Sequence, residues 1–148
     1  GLGNILMGDE GVGVRLVERL QDEADRFPDV DFKDLGTGGM ILLHAARGRN
    51  KLILIDCAQM GQEPGALRRF SPEEVRTAKP LSGQSLHEGD VLRVLELAET
   101  MGDPPGETVF FGIQPASIEP RESLSPELQE NFEDYVQAVT NELEKNAD

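Results

Sequence analysis

Cysteine is almost absent from this chain of 148 residues. Cys57 is its only one, so no internal disulfide can form and a reducing, cytoplasmic setting is the expectation. No apolar run approaches the roughly eighteen residues that suggest a membrane span, and no charged-then-apolar leader precedes the body, so no membrane is expected as a partner. Basic residues are also scarce. Fourteen Lys and Arg stand against 28 Asp and Glu, a formal charge of −14, which argues against a role built on neutralising phosphate and removes nucleic acid as an expected partner. Neither a Gly-x-Ser-x-Gly elbow nor a P-loop occurs. The dinucleotide pattern fails because Leu6 stands where a third glycine is needed after Gly1 and Gly3, and "HEGDV" lacks the second histidine of a zinc-protease helix, that position being Val91.

Glycine, by contrast, is concentrated at the start. "GLGNILMGDEGVG" holds five glycines in thirteen residues, with Asp9 and Glu10 in their midst. Adjacent carboxylates would repel a phosphate, so this loop reads as one that presents an acid. Such a turn normally follows a strand, and a strand is expected ahead of Gly1. Val12, Leu16, Leu20, Ala24 and Phe27 then recur at steps of three or four and predict a helix over 11–26, ended by Pro28 and Asp29.

"VDFKDL" alternates and predicts a strand, after which "GTGG" turns the chain into a short helix over 40–47. "KLILIDC" is apolar without alternation and suits a central strand covered on both faces, with Asp56 at its carboxyl end. The run to Phe70 predicts an edge strand, reached by a hairpin and antiparallel to its neighbour. Ser71, Pro72 and Glu74 start a short helix that Pro80 and Gly83 break; a further helix is expected over 85–101, and "TVFFGI" is the last strand. An irregular loop over 114–123 leads to Ser125, read as the N-cap of a helix that begins at Pro126. The chain reads as a single domain, 1–148, of the α/β class: a three-layer α/β/α sandwich around a mostly parallel sheet.

In open α/β sheets, ligands gather where the strands' carboxyl ends meet their loops. Glu10, Asp56 and His87 are all predicted there. Each has an ordinary reading of its own, as a helix-start acid, a turn cap and a helix-start histidine. Together, two carboxylates and an imidazole suit a borderline divalent ion, with zinc, nickel and manganese all admissible. His44 reads as a helix residue rather than a ligand. Cys57 follows Asp56, points to the opposite strand face and reads as a small core residue.

The stretches "GLGNILMGDEGVGVRLVERL", "DLGTGGMILL", "LILIDCAQMGQEPGALR", "SLHEGDVL" and "GIQPASIEP" together resemble the hydrogenase maturation proteases. These endopeptidases trim the C-terminal extension from the large subunit of nickel–iron hydrogenases. The resemblance runs in order along nearly the whole chain and implies a five-stranded twisted sheet in the sandwich. It implies that Glu10, Asp56 and His87 engage nickel carried by the substrate, with a surrogate divalent ion admissible in the isolated protein. It further implies that Asp34, before the Gly-Thr turn, serves in cleavage, although Leu35 stands where a glycine is common. The implied partner is the large-subunit precursor, met transiently by a monomer. The other readings are a metal-sensing chaperone that binds without cutting, and a peptidase of the same fold with another substrate.

Overall fold

The computed structural model describes residues 1–77 and 87–145, giving only the helical placement of Thr77 and of 87–89. The expected break at Pro80 and Gly83 and the helix start at Ser85 lie outside the described residues. Among these residues three strands form one mixed sheet: β1 (Lys51–Cys57), β2 (Leu67–Phe70) and β3 (Glu107–Ile113), in the order β1-β3-β2. β1 runs parallel to β3 with Asp56 opposite Gly112, and β2 runs antiparallel to β3 with Leu67 opposite Ile113. β2 is thus the antiparallel edge strand expected, but it pairs with β3. The hairpin to β1 does not form, because the loop after Cys57 crosses over the end of β3 instead.

The expected five strands are not present among the described residues. "VDFKDL" is irregular backbone rather than a strand. It does lie alongside the first residues: the Gly1 amine donates to the Lys33 carbonyl at 2.9 Å, and the Leu35 N–H to the Gly1 carbonyl at 2.9 Å. On the other side of that stretch, the Leu2 N–H donates to the Ile55 carbonyl of β1 at 2.9 Å. Residues 1–3 and 33–36 therefore continue the hydrogen bonding beyond β1.

Among the described residues five α-helices surround the sheet: α1 (Val12–Leu20), α2 (Met40–Ala46), α3 (Pro72–Thr77), α4 (His87–Thr100) and α5 (Pro126–Glu144). The first predicted helix is shorter than expected. A 3-10 turn, Gly8–Gly11, precedes α1, and another, Gln21–Arg26, follows it, because no residue of 21–26 is buried to hold a helical face against the core. Alternate residues of the strands serve two cores. Ile55, Cys57, Val109, Phe111 and Ile113 pack with α1 and α5, including Leu16, Leu128 and Tyr135. Leu54 faces the other way and packs with Leu2, Leu35, α2 and α4 through Leu42, Ala46, Val91 and Leu95. Cys57 is buried as expected.

Helix α1 sits so close to β1 that its second residue has no room for a side chain. A Cβ on Gly13 would lie 2.2 Å from the Ile55 carbonyl oxygen and 2.4 Å from that of Leu2, both backbone atoms. Gly13→Ala would gain about 1 kcal/mol of helix propensity, yet it forces the helix off the sheet. Overpacking wins, and a net loss of about 2 kcal/mol is expected in urea unfolding.

Candidate active site

The first three residues are where the acid-bearing segments meet. Leu2 is bonded to Ile55, the residue before Asp56, and the Gly3 N–H donates to the Gly36 carbonyl at 2.7 Å. Gly3 has φ 136°, and a Cβ there would stand 2.0 Å from the Glu10 carbonyl oxygen. Only glycine allows this approach, which seats the Glu10 turn against the same stretch. The turn also contacts β1. Asp34 is exposed, and its Oδ1 accepts the Gly36 N–H at 2.8 Å, shaping the turn through Gly36 at φ 53°. Leu35 explains its own departure from glycine: its side chain is buried in the α2–α4 core.

Glu10 and Asp56 are half-buried, and Asp56 Oδ1 accepts the Cys57 N–H at 2.8 Å. Asp34 and Asp56 are both within electrostatic reach of the Gly1 nitrogen. His87 is the first residue of α4, but its side chain lies outside the described residues. Among the described residues no three His, Cys, Asp or Glu side chains form a group able to hold a metal. His44 is exposed on α2.

Asp9, beside Glu10, has a role that the sequence reading missed. It is fully buried, 0% exposed. Its Oδ2 accepts the N–H of Ala116 at 2.8 Å, the N–H of Ser117 at 3.0 Å and the Ser125 hydroxyl at 2.8 Å, and its Oδ1 accepts the Ser125 N–H at 2.7 Å. Burial alone would raise its pKa, but these bonds, led by the Ser125 N–H, outweigh it and hold the carboxyl below the ordinary value. Ser125 thus spends its hydroxyl on Asp9 and makes no side-chain cap on α5, contrary to expectation. Only the burial of the Gly-flanked acid could have signalled this, and local sequence does not encode burial there.

A second buried polar group, Gln114, was read as the start of an irregular loop. Its Oε1 accepts the N–H of Met60 at 2.7 Å and of Gln62 at 3.3 Å, and its Nε2 donates to Gln59 Oε1 at 2.9 Å. It holds the loop that follows Asp56. Tyr135 of α5 steadies the far end of that loop, donating its hydroxyl to the Gly65 carbonyl at 2.5 Å. Burial, then the nearby Asp9 charge, pushes the Tyr135 phenol up to about 12. Around these loops the apolar side chains of Ile5, Leu6, Met40, Ile41 and Ile118 are exposed.

The family model for hydrogenase maturation proteases matches residues 14–142. The chain belongs to the hydrogenase maturation protease family. Among its family relatives, the hydrogenase expression/formation protein HoxM of Cupriavidus necator is 37% identical over 80% of this chain and 59% of its own length. HupD of Thiocapsa roseopersicina is 35% identical over 89% of this chain and 60% of its own length. The chain thus spans about three-fifths of the length of these curated relatives. The hydrogenase 2 maturation protease of Escherichia coli is 33% identical over 94% of this chain and 85% of its own. The solved structure of the hydrogenase maturating endopeptidase HybD of E. coli superposes with a TM-score of 0.82 at 31% identity, covering 98% of this chain and 90% of that one. As in this family fold, the chain is α/β, here with a small mixed sheet.

Proposed function

We propose that the protein is an endopeptidase that removes the C-terminal extension of a nickel–iron hydrogenase large-subunit precursor after nickel insertion. The observation that carries this reading is the meeting of the Glu10, Asp34 and Asp56 segments at residues 1–3 in a member of the maturation protease family. In the proposal Glu10, Asp56 and His87 engage the nickel in the substrate. Two carboxylates and an imidazole suit such a borderline ion, with its remaining ligands supplied by the precursor. The metal then acts as the recognition handle, and its binding free energy positions the scissile bond.

Asp34 is the proposed general base. Its Oδ1 is taken by Gly36, so Oδ2 accepts the proton as water adds to the scissile carbonyl carbon. That proton passes to the leaving amine as the C–N bond breaks. The exposed Ile5, Leu6, Met40, Ile41 and Ile118 give apolar stretches of the precursor a surface to lie on. The five-stranded sheet that the family resemblance implies would take its further pairing from residues 1–3, bonded to Ile55 on one side and to 33–36 on the other. A cytoplasmic site of action accords with the single cysteine and with the lack, among the described residues, of any helix long and apolar enough to cross a membrane.

The test is mass spectrometry of nickel-loaded and nickel-free precursor incubated with catalytic amounts of the protein. Only the loaded precursor is expected to lose a C-terminal peptide. Glu10→Gln and His87→Ala are expected to lose the release while circular dichroism shows an unchanged fold. Nickel-dependent binding without any released peptide would replace the protease with a chaperone.

A further inference from the structure

The stretch Gln114-Pro115-Ala116-Ser117 touches both acid-bearing loops. It leaves β3 two residues after Gly112, the partner of Asp56 in the ladder. At its first residue the buried Gln114 amide grips Met60, Gln62 and Gln59 of the loop after Asp56. The Gln114 main chain adds a second grip, its N–H donating to the Ala66 carbonyl at 2.9 Å and its carbonyl accepting the Gly65 N–H at 2.8 Å. Two residues later the grip is on the other loop. The N–H groups of Ala116 and Ser117 donate to Asp9 Oδ2, and the Ser117 carbonyl accepts the Asp9 N–H at 3.1 Å. Arg121, a little further on, holds the same turn, its N–H donating to the Leu6 carbonyl at 3.0 Å and its carbonyl accepting the Gly8 N–H at 2.8 Å.

Between the two grips stands a buried proline. Pro115 locks φ near −65° and has no N–H that would need a partner. The link between the clamps is therefore four residues long, stiff at its centre and bonded at both ends. We propose that Gln114 and Pro115 are positioning residues: 114–117 is a brace that fixes the Glu10 turn relative to Asp56 and the loop after it. This rests on the reading of Glu10 and Asp56 as the acids that engage the substrate's nickel. Neither brace residue touches the substrate in this proposal. Each acts through the acids, whose spacing decides whether the metal is met by both at once.

A purely local role and a brace differ in one observable. The Gln114 side chain bonds the loop after Asp56, so local loosening by Gln114→Ala stops there, whereas a failed brace also frees the Glu10 turn. Amide hydrogen exchange would be compared in the unmodified protein, Gln114→Ala, Pro115→Gly and Val139→Ala. The last removes a buried apolar side chain of α5 from the core that also holds Ile113 and Tyr135 and lowers the unfolding midpoint without removing any hydrogen bond of the brace. Both brace variants are expected to exchange about tenfold faster in 7–11 as well as in 59–62, the scale on which supporting partners tune a site. Their kcat on nickel-loaded precursor is expected to fall about tenfold at unchanged KM, which Val139→Ala does not reproduce. Faster exchange confined to 59–62, or a kcat loss equalled by Val139→Ala, would overturn the brace. If the unmodified protein cleaves no precursor, the protease reading fails, and the exchange pattern alone still decides for or against the brace.

Discussion

Asp9→Ala is expected to destabilise the protein by about 4 kcal/mol. The carboxylate is buried and accepts four hydrogen bonds, three from backbone N–H groups of Ala116, Ser117 and Ser125 and one from the Ser125 hydroxyl. A hydrogen bond to a charged group contributes about 1.5–3 kcal/mol, and donors left buried without an acceptor add their desolvation cost. Simple addition would overshoot, because the loop relaxes and water enters, and about 4 kcal/mol already lies at the upper end for one substitution. Asp9→Asn is expected to recover less than half, since its NH2 group would face a donor where Asp presents an acceptor. Urea unfolding measures both. The pH dependence has a definite sign, because the folded pKa lies below the ordinary 3.8. The stabilisation is complete above 3.8 and is lost as pH falls through the lower folded value. In Asp9→Ala this part of the acid sensitivity disappears.

Glu142→Ala is expected to cost about 3 kcal/mol through a different mechanism. Near the end of α5, the Glu142 side chain is 2% exposed and accepts from Lys51 Nζ at 2.8 Å, Arg69 Nε and an Arg69 terminal nitrogen at 2.9 Å each, and Lys145 Nζ at 3.2 Å. The Arg69 hydrogen bond above all, against an opposing effect of burial, holds its carboxyl far below the ordinary 4.5. Its contribution too is present above 4.5 and lost as pH falls through the lower folded value. Breaking a buried ion pair from one side costs about 3–5 kcal/mol because the remaining charge is stranded. Here Lys51 is the partner most affected, being 14% exposed and left with the half-exposed Glu107 at 3.6 Å, whereas Arg69 at 45% and Lys145 at 63% can turn to water. The lower end of the range follows. Lys145→Ala should cost under about 1 kcal/mol by the same reasoning, so thermal unfolding of the two variants separates the buried carboxylate from its outer partner.

Periodicity made most of the framework legible in the sequence. The apolar run of β1, the stripes of α1 and α5 and the Ser71 start of α3, where the Glu74 N–H bonds Ser71 Oγ at 3.2 Å, are each set by neighbouring residues alone. "VDFKDL" alternates like a strand yet is irregular backbone, because alternation records a half-buried face and does not by itself supply a partner. The antiparallel β2 was legible, its partner was not. Pairing is chosen by the path of the loop after Cys57, which hangs on the Gln114 amide 57 residues downstream.

The candidate site divides in the same way. Glu10 and Asp56 are proposed as ligands because the sequence puts them where a strand's carboxyl end places its loops, and Asp34 through the family resemblance. Asp9 and Gln114 were missed because their importance lies wholly in long-range bonds to backbone groups, which leave no pattern in the residues beside them.

The Asp9–Ser125 bond also has a kinetic consequence. It joins residues 116 positions apart, so closing it incurs the loop entropy of most of the chain before any contact rewards it. The Glu10 turn is therefore expected to reach its final place only once α5 has docked. A chain emerging from the ribosome would hold β1 and its neighbouring helices before the Glu10 turn settled, which waits on α5.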